Sequence, residues 1–237
     1  MQLEGQVAIV TGAGTGIGRA TAATLARQGA AVVAVARTAA NLESIAAEIR
    51  AAGGQALAVP TDVAEERRVA RLVERTLAEY GQIDILVNNA GTNVRAPIHQ
   101  IKTEDWRTIL DSNATGTFLC TRAVVPYMME RKSGKIINVS SGAGKRGSAT
   151  RAAYSAAKFG VVGFGQAVQA DLKEYGITVS VVLPGPIDTP LRRRNVPGED
   201  PAILIGPETV ADVILFLATR PQNVVIPEVA IYPRAFI

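Results

Sequence analysis

The chain is poor in the residues that build metal and disulfide sites: its 237 residues include a single cysteine, Cys120, and a single histidine, His99. One cysteine cannot close an internal disulfide, and in an apolar-periodic stretch it reads as a small buried hydrophobe. No zinc centre of the usual histidine and thiolate ligands is expected. Also missing is any uninterrupted run of about eighteen apolar residues, so no membrane-spanning helix is expected. The opening MQLEGQVAIV lacks the basic segment, apolar run and cleavage site of a secretory signal. Charge of neither sign is in large excess: 25 basic against 21 acidic side chains leave +4, with no basic arm. That balance tolerates an anionic ligand but does not call for nucleic acid. A reducing cytoplasm is the expected setting.

What the chain does have is apolar content, 48% of residues, enough for one packed domain spanning 1–237. Short β-branched runs alternate with stretches of helical spacing. Strands are expected at Val7 to Thr11, Ala31 to Ala36, Ala56 to Pro60, Ile83 to Asn88, Lys135 to Ser140, Thr178 to Leu183 and Val224 to Tyr232. Helices are expected from Ile17 to about Gln28, Asn41 to Ala51, Glu65 to Tyr80, Thr103 to Arg131, Arg151 to Tyr175 and Glu208 to Ala218. Strands without a polar face, separated by helices, imply a parallel sheet covered on both sides. The expected fold is α/β, a doubly wound Rossmann sheet of about seven strands. The proline- and glycine-rich residues 185–206 follow a strand and are expected to form a substrate lid at the carboxyl edge of the sheet.

Thr11-Gly12-Ala13-Gly14-Thr15-Gly16-Ile17-Gly18 stands between the first strand and the first helix. There glycines allow the backbone to approach a pyrophosphate at a helix N-terminus, so a dinucleotide site is expected. Farther on, Tyr154 and Lys158 are one helical turn apart on one face. A free phenol has a pKa of about 10, and a nearby cation favours its ionised form, which makes such a pair a candidate proton-transfer device.

The spacing of the glycine turn, with Asp62-Val63, Asn88-Asn89-Ala90-Gly91, Asn113, Ser141, Tyr154, Lys158 and Pro184-Gly185 in that order, resembles the classical branch of the short-chain dehydrogenase/reductase family. The resemblance extends from about Leu3 to Ala218. It implies a catalytic tetrad of Asn113, Ser141, Tyr154 and Lys158. In it Tyr154 exchanges the proton with the carbonyl oxygen, and Ser141 holds that oxygen. Lys158 lowers the tyrosine pKa and bonds the nicotinamide ribose, while Asn113 kinks its helix and retains a water leading to Lys158. The family spacing selects Ser141 over Ser140, and adjacent strand residues face opposite ways. The implied cofactor contacts are Gly12, Gly14, Thr15, Gly16, Ile17, Gly18, Arg37, Asp62, Val63, Asn89, Ala90, Gly91, Tyr154, Lys158, Pro184, Gly185, Ile187 and Thr189. Asp62 can also cap the following helix, in a capping box with Glu65.

Strand two ends Val35-Ala36-Arg37, with no carboxylate to repel a 2′-phosphate and an arginine to receive one, so NADP(H) is expected over NAD(H), which remains possible. Leu183, a short lid and the ending Pro227-Glu228-Val229-Ala230-Ile231-Tyr232 depart from the common family pattern. The ending is similar to that of a branch acting on small hydroxy acids; 3-oxoacyl thioesters are the other substrate class considered. Lys145, Arg146, Arg151 and the run Arg192-Arg193-Arg194 are either substrate anchors or solvated charge. The expected substrate lining includes Thr92, Asn93, Val94, Gly142, Ala143, Pro186 and Ile187. A homotetramer or dimer pairing the helices around Thr117–Arg131 and Arg151–Tyr175 is implied by the family. The alternative to an enzyme is a dinucleotide-sensing protein of the same fold without turnover.

Overall fold

In the computed structural model, which describes residues 1–237, strands of almost wholly apolar sequence pair in parallel. They are β1 (Val7–Thr11), β2 (Ala31–Ala36), β3 (Ala56–Pro60), β4 (Ile85–Asn88), β5 (Gly134–Val139), β6 (Ile177–Pro184) and β7 (Glu228–Ile231). The order β3-β2-β1-β4-β5-β6-β7 makes a doubly wound Rossmann-like sheet, as expected. Ile9 of β1 is flanked by Val33 and Leu86.

Because strand side chains alternate, each face of the sheet has its own core. On one face, Ala8 and Val10 pack with residues of α1 (Gly16–Arg27), α2 (Ala39–Ala51) and the late helix Pro207–Ala218, including Leu25, Leu42 and Ile214. On the other, Val7 and Ile9 pack with α3 (Glu66–Tyr80), through Leu72 and Val73 at helical spacing, and with Met128 and Leu172. Cys120 is buried in this second layer, where desolvation pushes its thiol up to about 12 and leaves it unreactive.

Four expectations change. The stretch Thr103 to Arg131 is not one α-helix but α4 (Thr103–Leu110) and α5 (Gly116–Arg131), joined by a π-helical segment, Asp111–Thr115. The Asn113 side chain there takes the Ile109 carbonyl, at 2.8 Å, that an α-helix would pair with the Asn113 N–H. The lid is not wholly irregular: after α6 (Ala152–Leu172) and β6 it contains α7 (Pro190–Asn195), started by Thr189, whose hydroxyl accepts from Arg192 N–H at 3.2 Å. Pro207–Ala218 is then α8. The capping box of Asp62 and Glu65 does not form, since Asp62 accepts from Ala64 N–H at 3.0 Å and Glu65 pairs with Arg68 at 2.7 Å. Finally, β7 is only four residues long and half exposed, an edge strand whose one-sided cover explains its weak apolar signal. No helix is long and apolar enough to cross a membrane.

Candidate active site

β1 and β4 are neighbours while their connections leave in opposite directions, and a crevice opens beyond their carboxyl ends. Thr11 ties the two ends together. Its hydroxyl donates to Val87 O at 3.2 Å and accepts from Asn89 N–H at 2.9 Å and Ala90 N–H at 3.0 Å. Asn89 Nδ2 in turn donates to Thr11 O at 2.9 Å. Gly12 has a φ of 67°, and a Cβ there would be 2.7 Å from Asn89 Nδ2. A Cβ on Gly18 would fall on the Gly12 carbonyl oxygen. Only hydrogen atoms fit at these two positions, so the turn from β1 into α1 is held tight and its backbone is bare toward the crevice.

The crevice contains a cavity of about 270 Å³ lined by Gly12, Gly14, Thr15, Gly16, Ile17, Arg37, Asp62, Val63, Asn89, Ala90, Gly91 and Thr189 among others. Gly18 lies behind it, buried in α1. A second cavity of about 690 Å³ includes Ser141, Tyr154, Pro184, Gly185 and Ile187, and shares Ile17, Thr189 and Leu191 with the first. The two are therefore contiguous, one walled by the glycine turn and the other by the tyrosine.

Tyr154 is 9% exposed. Burial raises its phenol above the ordinary value, while the Arg151 cation and a hydrogen bond with Ser141 pull it back. Arg151 Cζ is 4.9 Å from the Tyr154 ring centroid, against 5.7 Å for Lys158 Nζ. Lys158 is buried at 4% exposure and donates to Val139 O at 2.8 Å, and desolvation lowers its pKa to about 8. Two cations therefore face the Tyr154 ring, Lys158, to which the sequence pattern points, and Arg151, which is nearer and lowers the phenol pKa. Ser140 also borders the larger cavity, but its hydroxyl is committed to Lys158 O at 2.9 Å. Asn113 sits behind Gly91, with Nδ2 donating to Thr92 O at 2.9 Å and Oδ1 buried without a partner.

The comparisons follow this geometry. A family model described as short chain dehydrogenase matches residues 6–200. The chain belongs to the short-chain dehydrogenase family. It is 45% identical over 226 residues to a 3-oxoacyl-[acyl-carrier-protein] reductase of Synechocystis sp., covering 92% of this chain and 91% of that protein. It is also 40% identical over 230 residues to cis-4-hydroxycyclohexanecarboxylate dehydrogenase of Sinomonas cyclohexanicum, covering 93% and 92%. A metagenomic short-chain oxidoreductase solved in complex with NADP superposes with a TM-score of 0.87 at 37% identity, covering 98% of this chain and 99% of that one. As a member of the family this protein is an NAD(P)-dependent oxidoreductase acting on CH–OH groups.

Within the short-chain dehydrogenase site, the basic candidates separate. Lys145 pairs with Glu228 at 2.7 Å and is spent on β7. Arg193 clamps Asp188 through two bonds of 2.7 and 2.8 Å, and Arg192 pairs with Glu199. Arg194 reaches Thr92 Oγ1 at 3.4 Å. Arg146 and Arg151 line the larger cavity, and Arg37 is exposed at the mouth of the smaller one. Several lining residues carried no sequence signal. Tyr232 stands against Gly142 and Gly185, and Phe236 and Ile237 complete that wall. Asn41 faces the glycine turn, and Arg95 faces the larger cavity. No motif marks these positions, so only folding shows that they line the cavities.

Proposed function

We propose that this protein is an NADP(H)-dependent oxidoreductase that interconverts a carbonyl and a secondary alcohol, with Tyr154 as its proton-transfer group. The observation that carries the reading is the buried phenol of Tyr154, beside Ser141, in the larger cavity that adjoins the one walled by the glycine turn. The residues of the smaller cavity fit a dinucleotide: the glycine turn offers backbone that any Cβ would block, and a helix N-terminus favours the pyrophosphate charge. Arg37 at the end of β2, exposed and next to Ala36, has no acidic neighbour in the cavity lining except Asp62 and suits a 2′-phosphate. When bound, the nicotinamide supplies the hydride in reduction and takes it in oxidation.

The chain's own residues supply the rest. Ser141 Oγ and Tyr154 Oη donate hydrogen bonds to the substrate carbonyl oxygen. As the carbonyl carbon gains hydride, the C=O π pair moves to oxygen, which takes the proton from Tyr154 Oη. In oxidation the same proton returns to the phenolate. Lys158, with a pKa of about 8, is close enough to neutrality to restore the proton. Asn113 ties the loop after β4, at Thr92, to the end of α4 beneath Gly91. Residues 185–206, with α7, act as the lid over both cavities. The substrate classes suggested by the relatives are 3-oxoacyl thioesters and hydroxy or oxo carboxylates.

The protein works in the cytoplasm as a dimer or tetramer in which α5 and α6 pair between subunits; Phe118, Tyr127 and Phe159 on those helices are exposed. The test is a screen of carbonyl and alcohol substrates followed by absorbance of the reduced cofactor, with Tyr154→Phe alongside wild type. Loss of general acid catalysis predicts a fall in kcat of roughly 100- to 10,000-fold with cofactor binding retained. Turnover surviving in Tyr154→Phe, or cofactor binding without turnover of any substrate by wild type, sinks the reading.

A further inference from the structure

Arg151 is the residue immediately before α6, one turn ahead of Tyr154. Its Nε is buried and has no hydrogen-bond partner, and its guanidinium forms no ion pair, although it lines the larger cavity beside the phenol. Leaving a buried charged donor unpaired costs more than an ordinary hydrogen bond returns, so such a group is normally met by an acceptor. No side chain lining the cavity is acidic, so none there neutralises the Arg151 cation. Burial lowers the Arg151 pKa; Tyr154 offsets part of this, while Arg95 and Arg192 repel the Arg151 cation and lower it further. Glu199, the carboxylate on which Arg95 and Arg192 act, is already bonded to Arg192 through both of its oxygens.

Four cations, Arg95, Arg146, Arg151 and Arg192, thus line the cavity that also contains the reacting phenol, and of these Arg192 is already paired with Glu199. We infer that Arg151, flanked by Arg95, is the anchor for a carboxylate on the substrate itself, so that the natural substrate is an oxo acid and its hydroxy acid rather than a neutral ketone. This deepens the proposed function and rests on it. The reaction balances as in that reading: the oxo acid anion gains a hydride at carbon and a proton at oxygen, and its carboxylate is unchanged. The carboxylate cancels the surplus charge and gives the orphan Nε its acceptor, while the guanidinium stacked on the Tyr154 ring fixes the distance between anchor and reacting carbon. Arg151 is therefore a specificity-determining residue. It also couples binding to chemistry, since a bound anion weakens the cation's hold on the phenol.

The test uses the whole enzyme with reduced cofactor and three oxo acids of different carboxylate-to-carbonyl spacing, acetoacetate, levulinate and 4-oxocyclohexanecarboxylate, each beside its methyl ester. The readout is the acid-to-ester ratio of kcat/KM, in which the effect of Arg151 on the phenol that is common to both substrates cancels. One charge-assisted bond corresponds to roughly 10- to 150-fold in that ratio, about 1.5–3 kcal/mol at 1.36 kcal/mol per decade. We expect wild type to prefer at least one acid by that factor, Arg151→Gln to bring the ratio near unity, and Arg151→Lys to restore it in part. Cofactor affinity, measured by fluorescence of the reduced form, should be unchanged in both variants and reports an intact fold. Turnover of the esters with no acid preference in wild type, or a preference that survives in Arg151→Gln, overturns the anchor and leaves the oxidoreductase reading in place. Turnover of neither acids nor esters overturns both.

Discussion

Lys158 stores a measurable amount of instability, and Lys158→Met releases it. The amine is buried at 4% exposure, has one protein acceptor, Val139 O at 2.8 Å, and is held at a pKa of about 8 by desolvation, the only cause acting on it. In the unfolded chain a lysine titrates at about 10.4. A depressed pKa contributes stability that is fully present above the unfolded value and lost as pH falls through the folded one. Wild type therefore forfeits about 3 kcal/mol at pH 7 but under about 1 kcal/mol at pH 10. Methionine has nearly the same length and no charge, so it fills the same volume without this dependence. The variant should lose turnover if Lys158 restores the proton to Tyr154. Its stability relative to wild type should be higher at pH 7 than at pH 10 by about 2–3 kcal/mol. Urea unfolding followed by circular dichroism at both pH values measures this, with the titration of all other groups cancelling in the comparison. A stability difference that does not move between the two pH values refutes the argument and means that Lys158 is solvated in solution.

Arg37→Ala should reduce kcat/KM for NADPH by roughly 10- to 100-fold, the value of one charge-assisted phosphate contact, while NADH changes little; equal losses with both cofactors contradict the assignment. Gly18→Ala drives a methyl group into the Gly12 carbonyl, and such overpacking costs about 1–3 kcal/mol. A lower unfolding midpoint together with weaker cofactor binding by calorimetry is expected, and an unperturbed variant would show that the turn gives way easily. Tyr232→Ala removes the side chain packed on Gly142 and Gly185, so KM for the carbonyl substrate should rise several-fold with cofactor affinity intact; an unchanged KM removes Tyr232 from the substrate wall.

How much of this was legible beforehand depends on the range of the interaction. The glycine turn is a local device: the strand that precedes it, the helix that follows it and the missing side chains that let its backbone come close are all within residues 7–27. The seven-strand order is similarly recoverable, because continuous apolar runs separated by helices admit few topologies. Asn113 was marked by its motif, but that its side chain would replace a backbone donor inside a π segment is a property of the packed helix against Thr92. The basic residues between Ser141 and Tyr154 look alike in the sequence. Lys145 is neutralised by Glu228 on the last strand, while Arg151 turns inward and finds no partner.

The sequence by itself determined the parallel sheet, the phosphate-binding turn, the tyrosine and lysine one turn apart and the arginine that ends β2, since each is encoded within a few neighbouring residues or in a repeating pattern of burial. Only the tertiary structure decided which cations face the phenol, how much the lysine is desolvated, and that Tyr232 closes the substrate cavity. Those properties depend on charge and packing summed over segments far apart in the chain. Electrostatic energies and excluded volume act through space, and spatial neighbours are what folding alone assigns.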